Sequence, residues 1–534
     1  MRLRQLLIVA TLCSLPSPSL WGDPGTTPFV FHREHVLGTS LEVQVDAADE
    51  TVARAAEQAA FDEIGRLSKI FSGYDSQSEL SRWQARPGES FVLSPELRDV
   101  LRACEKWTAV SGGAFHPGVE GLSKLWREAA VTGVVPTSRS IARELAILAE
   151  PQWRFAESSA GAATWLGRGD ISLNGIAKGA IVDKACEVAA ARPGVAGILV
   201  SIGGDMRACG SLQRSVGIVD PANDAENARP LRTVTLQGEG LATSGRYRRG
   251  FLVRNVWHSH ILDPRTGQPA RGIASATVMA RTAADADALA TICSVLAPAE
   301  SLDLIDSIDG ARCLLVKEDG TIIASRRWNQ RERTDRASFD VRSQLAAVDP
   351  DGSGKAEPGT ETKPQAERKQ PRLLELTVRF ELTKAERFDY YRPYVAIWLE
   401  NEAGKPVRTA LLWLQTKQPG PQWHRELIRW YRNDQERLKT DELQLIGTVS
   451  GATRGPGEYK AVFDGLDDHG NPLEPGKYTL FLEASREHGT YQLIRKPLEL
   501  KSDPIPLTKL KGDVEIPAAS FEYRAREQGT RRDP

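Results

Sequence analysis

Apolar residues recur at helical and alternating spacings in the first 330 residues of the chain, and mostly at a spacing of two beyond 373. Val36 to Val45, VLGTSLEVQV, alternates after a Gly-Thr turn and predicts a strand. Between Thr51 and Phe71, the residues Ala60, Ile64, Leu67 and Phe71 follow one another at helical intervals and share one face. Ser94-Pro95-Glu96 opens a second helix, with Ser as cap and Pro in the first turn. Leu97, Leu101, Cys104 and Trp107 form its buried side, and the glycines between Gly112 and Gly118 end it in a loop. Asp170 to Ala185, DISLNGIAKGAIVDKA, reads as a strand end, a glycine turn and a helix start. Gly197 to Asp205 is an apolar strand stopped by paired glycines, and Val216–Asp220, Ile273–Ala280, Cys313–Val316 and Ile322–Ala324 are further strands. Ala283 to Leu296 is a helix. Short strands and helices in alternation, with several strands in series, predict a mixed α+β domain over 28–335.

The pattern stops between 346 and 372, where Asp, Gly, Ser, Pro, Glu and Lys leave almost nothing apolar, and a flexible linker is expected. Period two then takes over in LLELTVRFEL, YVAIWLE, TALLWL, EYKAVFDG and KYTLFLEAS. Strands separated by turn clusters predict a mainly β, immunoglobulin-like sandwich over 373–507, with a helical insert near Trp423 to Arg437. Residues 508–534 read as a loose polar tail.

With 534 residues, 41% hydrophobic and 26% charged, the composition is that of an ordinary globular protein of several domains. A formal net charge of −1 gives no global field toward nucleic acid or a membrane surface. The N-terminus changes the picture. A basic Met1–Gln5, an apolar Leu6–Leu15 and a small, polar exit from Pro16 to Gly22 have the layout of a secretory signal peptide over 1–22. Its apolar core is too short to span a bilayer, and no later run is long enough for a transmembrane helix. Cys13 lies inside the apolar run without small residues before it, which argues against a lipoprotein anchor. The mature chain is therefore expected to be exported, soluble and periplasmic. The five cysteines beyond the signal, Cys104, Cys186, Cys209, Cys293 and Cys313, contain no CxxC and read as small buried hydrophobes, although one pair can still oxidise in the periplasm.

Thr243 to Pro269, TSGRYRRGFLVRNVWHSHILDPRTGQP, mixes turn formers with His260, Asp263 and Arg265. That density suits a loop carrying polar groups to a site, or else a structural turn with a satisfied histidine. Other stretches bear on the choice. In chain order they are LGT at 37–39, Tyr74 with SELSRW at 78–83, GGAFHPG at 112–118 and NGIAKGAIVDKA at 174–185. SIGGD at 201–205, TSGRY at 243–247, SHILDPRTGQP at 259–269 and ADALAT at 286–291 complete the set. Together, from about Val36 to Arg326, they resemble the ApbE-type FAD:protein FMN transferases.

The resemblance implies an enzyme that uses FAD and a divalent metal, usually Mg²⁺. It moves FMN from FAD to a Ser or Thr hydroxyl of a target protein and releases AMP. Cleaving a pyrophosphate builds charge on phosphate oxygens and calls for a hard cation with oxygen ligands. Asp287 and Thr291 are four apart on one helix face, and the resemblance makes them metal ligands with the Gly175 carbonyl. By spacing alone the pair reads equally as an exposed helix face or a helix start. Lys178 is either a point charge for the FAD phosphates near a helix N-terminus or a solvated lysine. His260 is the candidate base on the acceptor hydroxyl, or a positional hydrogen-bond partner of the phosphate. Leu37, Ala114, His116, Ser172, Thr243 and Arg265 fall by resemblance on the FAD side. Asp263, Arg265 and Thr266 can instead brace their own loop, with Arg265 in an internal ion pair. Tyr74 and Phe115 are either stacking faces for a ring of FAD or core aromatics. Gly203, Gly204 and Gly245 supply positive-φ or close-approach positions.

Three positions depart from the family pattern. Leu37 stands where Met is usual, His116 where Asp is usual, and Ser172 at the Asp of the usual Asp-Leu-Gly-Gly block, with Asp170 nearby. The last two remove carboxylates from the FAD side and leave the metal ligands and His260 in place. The second half resembles an exported domain family of unknown function that is itself similar to immunoglobulin-like modules. Within it Ser450-Gly451-Ala452-Thr453 fits the acceptor string for the transfer, so Thr453 is a candidate FMN acceptor, or part of a turn before a strand. Asp464 to Gly470 has the look of a calcium loop but lacks the distal carboxylate, and reads as a connecting turn. Partners are then FAD and a periplasmic protein acceptor, or the chain's own second domain. The rival readings are an FAD pyrophosphatase that gives free FMN and AMP, a non-catalytic flavin-binding protein, and a second domain that docks a redox partner.

Overall fold

The computed structural model describes residues 29–331 and 374–525, apart from 157–160, 224, 226, 229, 247–249, 384–391, 415–423, 449, 452, 455 and 487–489. The expected signal peptide at 1–22 and linker at 346–372 lie outside the described residues. The chain divides into two compact units, residues 1–216 with 235–338, and residues 217–234 with 339–534. Among the described residues no helix is long and apolar enough to cross a membrane.

The first unit is built on an eight-stranded sheet. Its strands are β1 (Phe29–Val36), β2 (Thr39–Ala47), β3 (Val195–Ile202), β4 (Asp205–Gly210), β5 (Gly240–Gly245), β6 (Ile273–Ala280), β7 (Arg312–Lys317) and β8 (Ile322–Ala324). They lie in that order across the sheet, and every neighbouring pair is antiparallel. Alternation puts Leu41, Val43 and Val45 of β2, and Ile198, Val200 and Ile202 of β3, into one core. Three helices also join that core, α1 (Glu50–Phe71), α2 (Ala177–Ala190) and α3 (Ala283–Val295), with Leu97, Leu101, Cys104 and Trp107 of the helix Pro95–Val110 buried as expected. The apolar face predicted for α1 is buried through Ala60, Ile64 and Leu67, and Asp49 caps it by accepting from Val52 N at 2.9 Å. Glycines let these elements meet: a Cβ on Gly179 of α2 would run into the Ala283 carbonyl, and one on Gly240 of β5 into the Ala283 amide.

The α+β class holds, with local differences. Residues 171–173, expected as a strand end, are irregular and lead directly into the NGIA turn. The GGAFHPG loop is followed by two further helices, Glu120–Thr132 and Ser138–Leu148. The stretch from Thr243 to Pro269 is not one loop. Thr243 to Gly245 finish β5, and Gly250–Val253 pairs with Val256–Ser259 in a hairpin. The residues after Ser259 form a loop, closed by the bridge between Leu262 and Pro269. Of the glycines expected at special positions, Gly203 and Gly204 have φ of 57° and 100° in the β3–β4 turn, while Gly245 pairs with Ser275 within the sheet.

The second unit is the expected sandwich. One sheet has the order β13-β9-β17-β16 and the other β12-β11-β10-β14-β15. Their ranges are β9 (Leu374–Leu382), β10 (Tyr394–Asn401), β11 (Pro406–Trp413), β12 (Ser450–Gly451), β13 (Gly457–Phe463), β14 (Gly476–Ser485), β15 (Tyr491–Leu500), β16 (Ile505–Lys511) and β17 (Ala518–Ala525). Val378, Phe380, Ile397 and Leu480 are among the side chains that fill the space between the sheets. The outer face of β10, with Ala396 and Trp398, packs against Leu427 and Trp430 at the start of α4 (Ile428–Arg437). The loose tail expected from 508 is corrected here. β16 runs to Lys511, and β17 pairs with β9 from Phe380↔Ala519 to Leu374↔Ala525 while burying Phe521 and Tyr523. The calcium-like segment is the connection between β13 and β14, with Asp467 accepting from the amides of His469 and Asn471.

Candidate active site

Helix α3 carries Asp287 and Thr291, and its start is fixed twice. Thr282 accepts from Asp285 N at 3.0 Å, and Asp183 of α2 accepts from Ala283 N at 2.8 Å and Ala284 N at 2.9 Å. Burial pushes the Asp183 carboxyl up to about 6, against the two amides and the Arg207 guanidinium that favour its charge. Asp183 stands inside the NGIAKGAIVDKA motif, yet only the crossing of α2 over α3 reveals what it does.

Asp287 is 6% exposed, and its Oδ2 lies 3.4 Å from Gly179 N. The NGIA turn rests against Thr291: a Cβ on Gly175 would meet Phe115 Cε2 at 3.1 Å and Thr291 Oγ1 at 3.4 Å. The three residues expected as metal ligands are thus gathered at the meeting of this turn with α3. Beside Asp287 lies Asp205, the last residue of SIGGD, which sequence spacing alone does not single out. Burial and the adjacent Asp205 charge hold the Asp287 carboxyl well above the usual carboxylate range, and burial raises Asp205 against the pull of Lys178. Lys178 Nζ lies 2.9 Å from Asp205 Oδ2, an ion pair angled off the line of a directed hydrogen bond. Lys178 is therefore not a lysine free in solvent. Two buried carboxyls face one ammonium, so full ionisation leaves a negative excess. A carboxylate, a hydroxyl and a backbone carbonyl in this place are the hard oxygen donors that suit a divalent cation such as Mg²⁺. Among the described residues no group of three or more His, Cys, Asp or Glu side chains is poised around a metal.

Of the residues expected on the FAD side, Leu37 and Thr243 lie at the end of the sheet that carries Asp205. Leu37 sits in the β1–β2 turn at φ 51°, a left-handed conformation that costs a branched side chain energy, and is 39% exposed. That turn abuts the paired glycines before Asp205, since Gly203 N donates to Ser40 O at 3.2 Å. Thr243 extends from β5 beyond the same end, its Oγ1 2.9 Å from Thr277 Oγ1. The Tyr74 ring is 84% exposed, and its hydroxyl accepts from Asn174 Nδ2 at 3.1 Å over the NGIA turn. Phe115, the other expected stacking residue, is 5% exposed and belongs to the core beside Ala114, where its ring edge braces Gly175.

His116 and Ser172, the two positions that lack the family's carboxylates, are neighbours. Ser172 N donates to Pro117 O at 2.8 Å, and His116 Nδ1 accepts from Gly118 N at 3.0 Å. The imidazole caps the turn as a short carboxylate would, and burial lowers its pKa. His116 and Pro117 also line an open cleft of about 270 Å³ with Glu105, Thr108, Gln152 and Trp153.

The loop after Ser259 packs against the same GGAFHPG segment. A Cβ on Gly113 would meet Arg265 Cγ at 3.6 Å, and Trp126 Nε1 donates to Gly267 O at 3.0 Å. Arg265 forms the internal ion pair expected of it, with two hydrogen bonds of 2.9 Å to Asp263. His260 is exposed at the start of this loop.

A family model described as the ApbE family matches residues 37–315, just over half of the chain. The chain belongs to the ApbE family. Its relatives include the FAD:protein FMN transferase of Treponema pallidum, 29% identical over 60% of this chain and 92% of that protein. The FAD:protein FMN transferase of Vibrio cholerae is 29% identical over 48% of this chain and 79% of its own length. The crystal structure of the ApbE protein of Thermotoga maritima aligns with a TM-score of 0.51 at 29% identity, covering 57% of this chain and 99% of that one. Residues 375–518, beyond the ApbE match, fit a family described as "Predicted periplasmic protein (DUF2271)". That match runs through β16, in keeping with the corrected end of the sandwich. In this second unit Thr453 follows β12, half-buried, and its carbonyl accepts from Arg392 Nη1 at 2.6 Å.

Proposed function

We propose that this chain transfers FMN from FAD to a Ser or Thr hydroxyl of a protein outside the cytoplasm, with Mg²⁺ held by Asp287, Thr291 and the Gly175 carbonyl. The observation that carries the reading is the buried Asp205–Asp287–Lys178 cluster set against Gly175 and Thr291. The cation supplies positive charge for the phosphate oxygens of FAD as the pyrophosphate bond breaks. Lys178, in the first turn of α2, adds an ammonium near a helix N-terminus, where amides and dipole favour phosphate. Tyr74 offers an open ring face for stacking. His260 takes the proton of the acceptor hydroxyl, whose oxygen forms the new bond to the FMN phosphorus while AMP leaves. His116 caps its own loop through Gly118 N, and Ser172 N is bonded to Pro117 O, so the loop is internally satisfied at both departures, which supports activity. The match to a family of predicted periplasmic proteins supports export, with residues 1–22 as the signal peptide.

The acceptor within reach of test is Thr453, on a turn whose sequence fits the acceptor string; a separate periplasmic protein is the other candidate. The deciding experiment is intact mass after incubation with FAD and Mg²⁺, for wild type, Asp287→Ala and Thr453→Ala. One added FMN, lost in both variants, establishes transfer with Thr453 as acceptor. An added FMN that persists in Thr453→Ala moves the acceptor elsewhere on the chain. AMP and free FMN without a mass gain favour the pyrophosphatase reading, unless an added periplasmic extract becomes flavinylated. FAD left intact by the wild type under every condition sinks the enzyme reading.

A further inference from the structure

Cys186 points from α2 onto the sheet. Its Sγ lies 3.3 Å from Arg207 O and 3.8 Å from Ile198 O. Ile198 of β3 is the register partner of Cys209 on β4. Arg207 and Cys209, two apart on one strand, share a face, and Arg207 Nε reaches Asp183 of α2 at 3.5 Å, so that face lies under α2. Cys209 therefore looks up at Cys186, with the Cys186 sulfur resting on the backbone of Ile198 and Arg207 on either side of it. Cys186 is fully buried, whereas Cys209 is part-exposed. Cys293 and Cys313 also face each other, but both are wholly buried, so neither sulfur is open to attack in the folded protein.

We propose that Cys209 and Cys186 are a redox pair that closes to a disulfide in the exported protein, with Cys209 as the attacking sulfur and Cys186 as the resolving one. The Cys186 thiol and the Arg207 guanidinium hold Cys209 below the usual thiol range, while burial raises Cys186. Exposure assigns the roles: Cys209 is the sulfur an outside disulfide can reach, and Cys186 is the buried one beneath α2. The oxidant is a disulfide-bearing molecule. The Cys209 thiolate attacks one of its sulfurs, forms a mixed disulfide and expels the other sulfur as a thiolate. Cys186 then gives up its proton, attacks the Cys209 sulfur and releases the second thiolate. Two protein thiols become one disulfide, and the oxidant's disulfide becomes two thiols.

The bond would fasten α2 to β4. Those are the two elements that bear Lys178 and Asp205, so it would fix the spacing of that ion pair.

The test uses the full chain, incubated with oxidised glutathione or with a reductant, then alkylated, digested and mapped by mass spectrometry. A peptide linking Cys186 to Cys209 is expected after oxidation and absent after reduction. The thermal midpoint of the oxidised wild type should exceed that of the reduced protein by on the order of 5 °C. Cys209→Ser, at the part-exposed sulfur, should melt at the same temperature with either treatment. Alkylation of both cysteines after oxidation overturns the proposal, and so does a link from Cys209 to another cysteine or another chain. The map on wild type stands even if a variant folds poorly.

Discussion

At the residue scale, Asp205 is the side chain through which the cluster can be perturbed without touching an expected metal ligand. It pairs with Lys178, and its charge raises the pKa of Asp287 beside it. Asp205→Asn should raise the Mg²⁺ needed for half-maximal FAD turnover by about 10–100-fold while leaving the fold intact. A metal titration of AMP release, with circular dichroism as control, checks this. Asp183 gives a pH signature. Its carboxyl is raised from 3.8 to about 6, so the folded chain keeps a proton that the unfolded chain has lost. The linked stability is fully present below about 4 and lost as pH rises through about 6, to a maximum of about 3 kcal/mol. Asp183→Asn has no proton to lose, so urea midpoints between pH 4 and 7 should fall more steeply in wild type than in the variant, by the Asp183 share. Asp287, Thr291 and Gly175 were singled out by the family resemblance, since spacing alone left the Asp–Thr pair open as an exposed helix face or a helix start. Asp205 and Asp183 were not, since a buried carboxylate shows its role only when its partners arrive from other elements. Of the two readings left open for Phe115, a stacking face or a core aromatic, its burial fits the second.

At the element scale, regular periodicity was the dependable guide, and α1, α3, β3 and β6 fall where the pattern put them. The helix at Glu120–Thr132 was hidden because it follows a glycine-rich loop and has no side-chain cap. The hairpin at 250–259 was hidden because Arg254 and Asn255, with φ of 49° and 63°, make its turn without glycine. Glycine matters more where α2 meets α3. Gly179→Ala would drive a methyl into the Ala283 backbone and force the helices apart. We expect a loss of about 1–3 kcal/mol in denaturant unfolding, together with weaker FAD turnover, because the same crossing sets the height of Asp287.

At the scale of the molecule, the sequence conveyed two domain types but misplaced the end of the second. The alternation Ala519, Phe521, Tyr523 is short and crowded by charge, and only pairing with β9 turns it into a strand. A chain ending at Leu507 would lose β17 and bare one side of β9. Its second unit should be cut by protease under conditions in which the full chain survives, while the first unit keeps its FAD turnover. The eight strands of the first unit follow chain order and alternate in direction. The start of β1 and the close of β8 therefore leave from the same end of the sheet, at opposite edges. Tension between them peels a strand one hydrogen bond at a time instead of shearing a whole ladder, so a motor pulling this unit apart meets many small barriers in place of one large one.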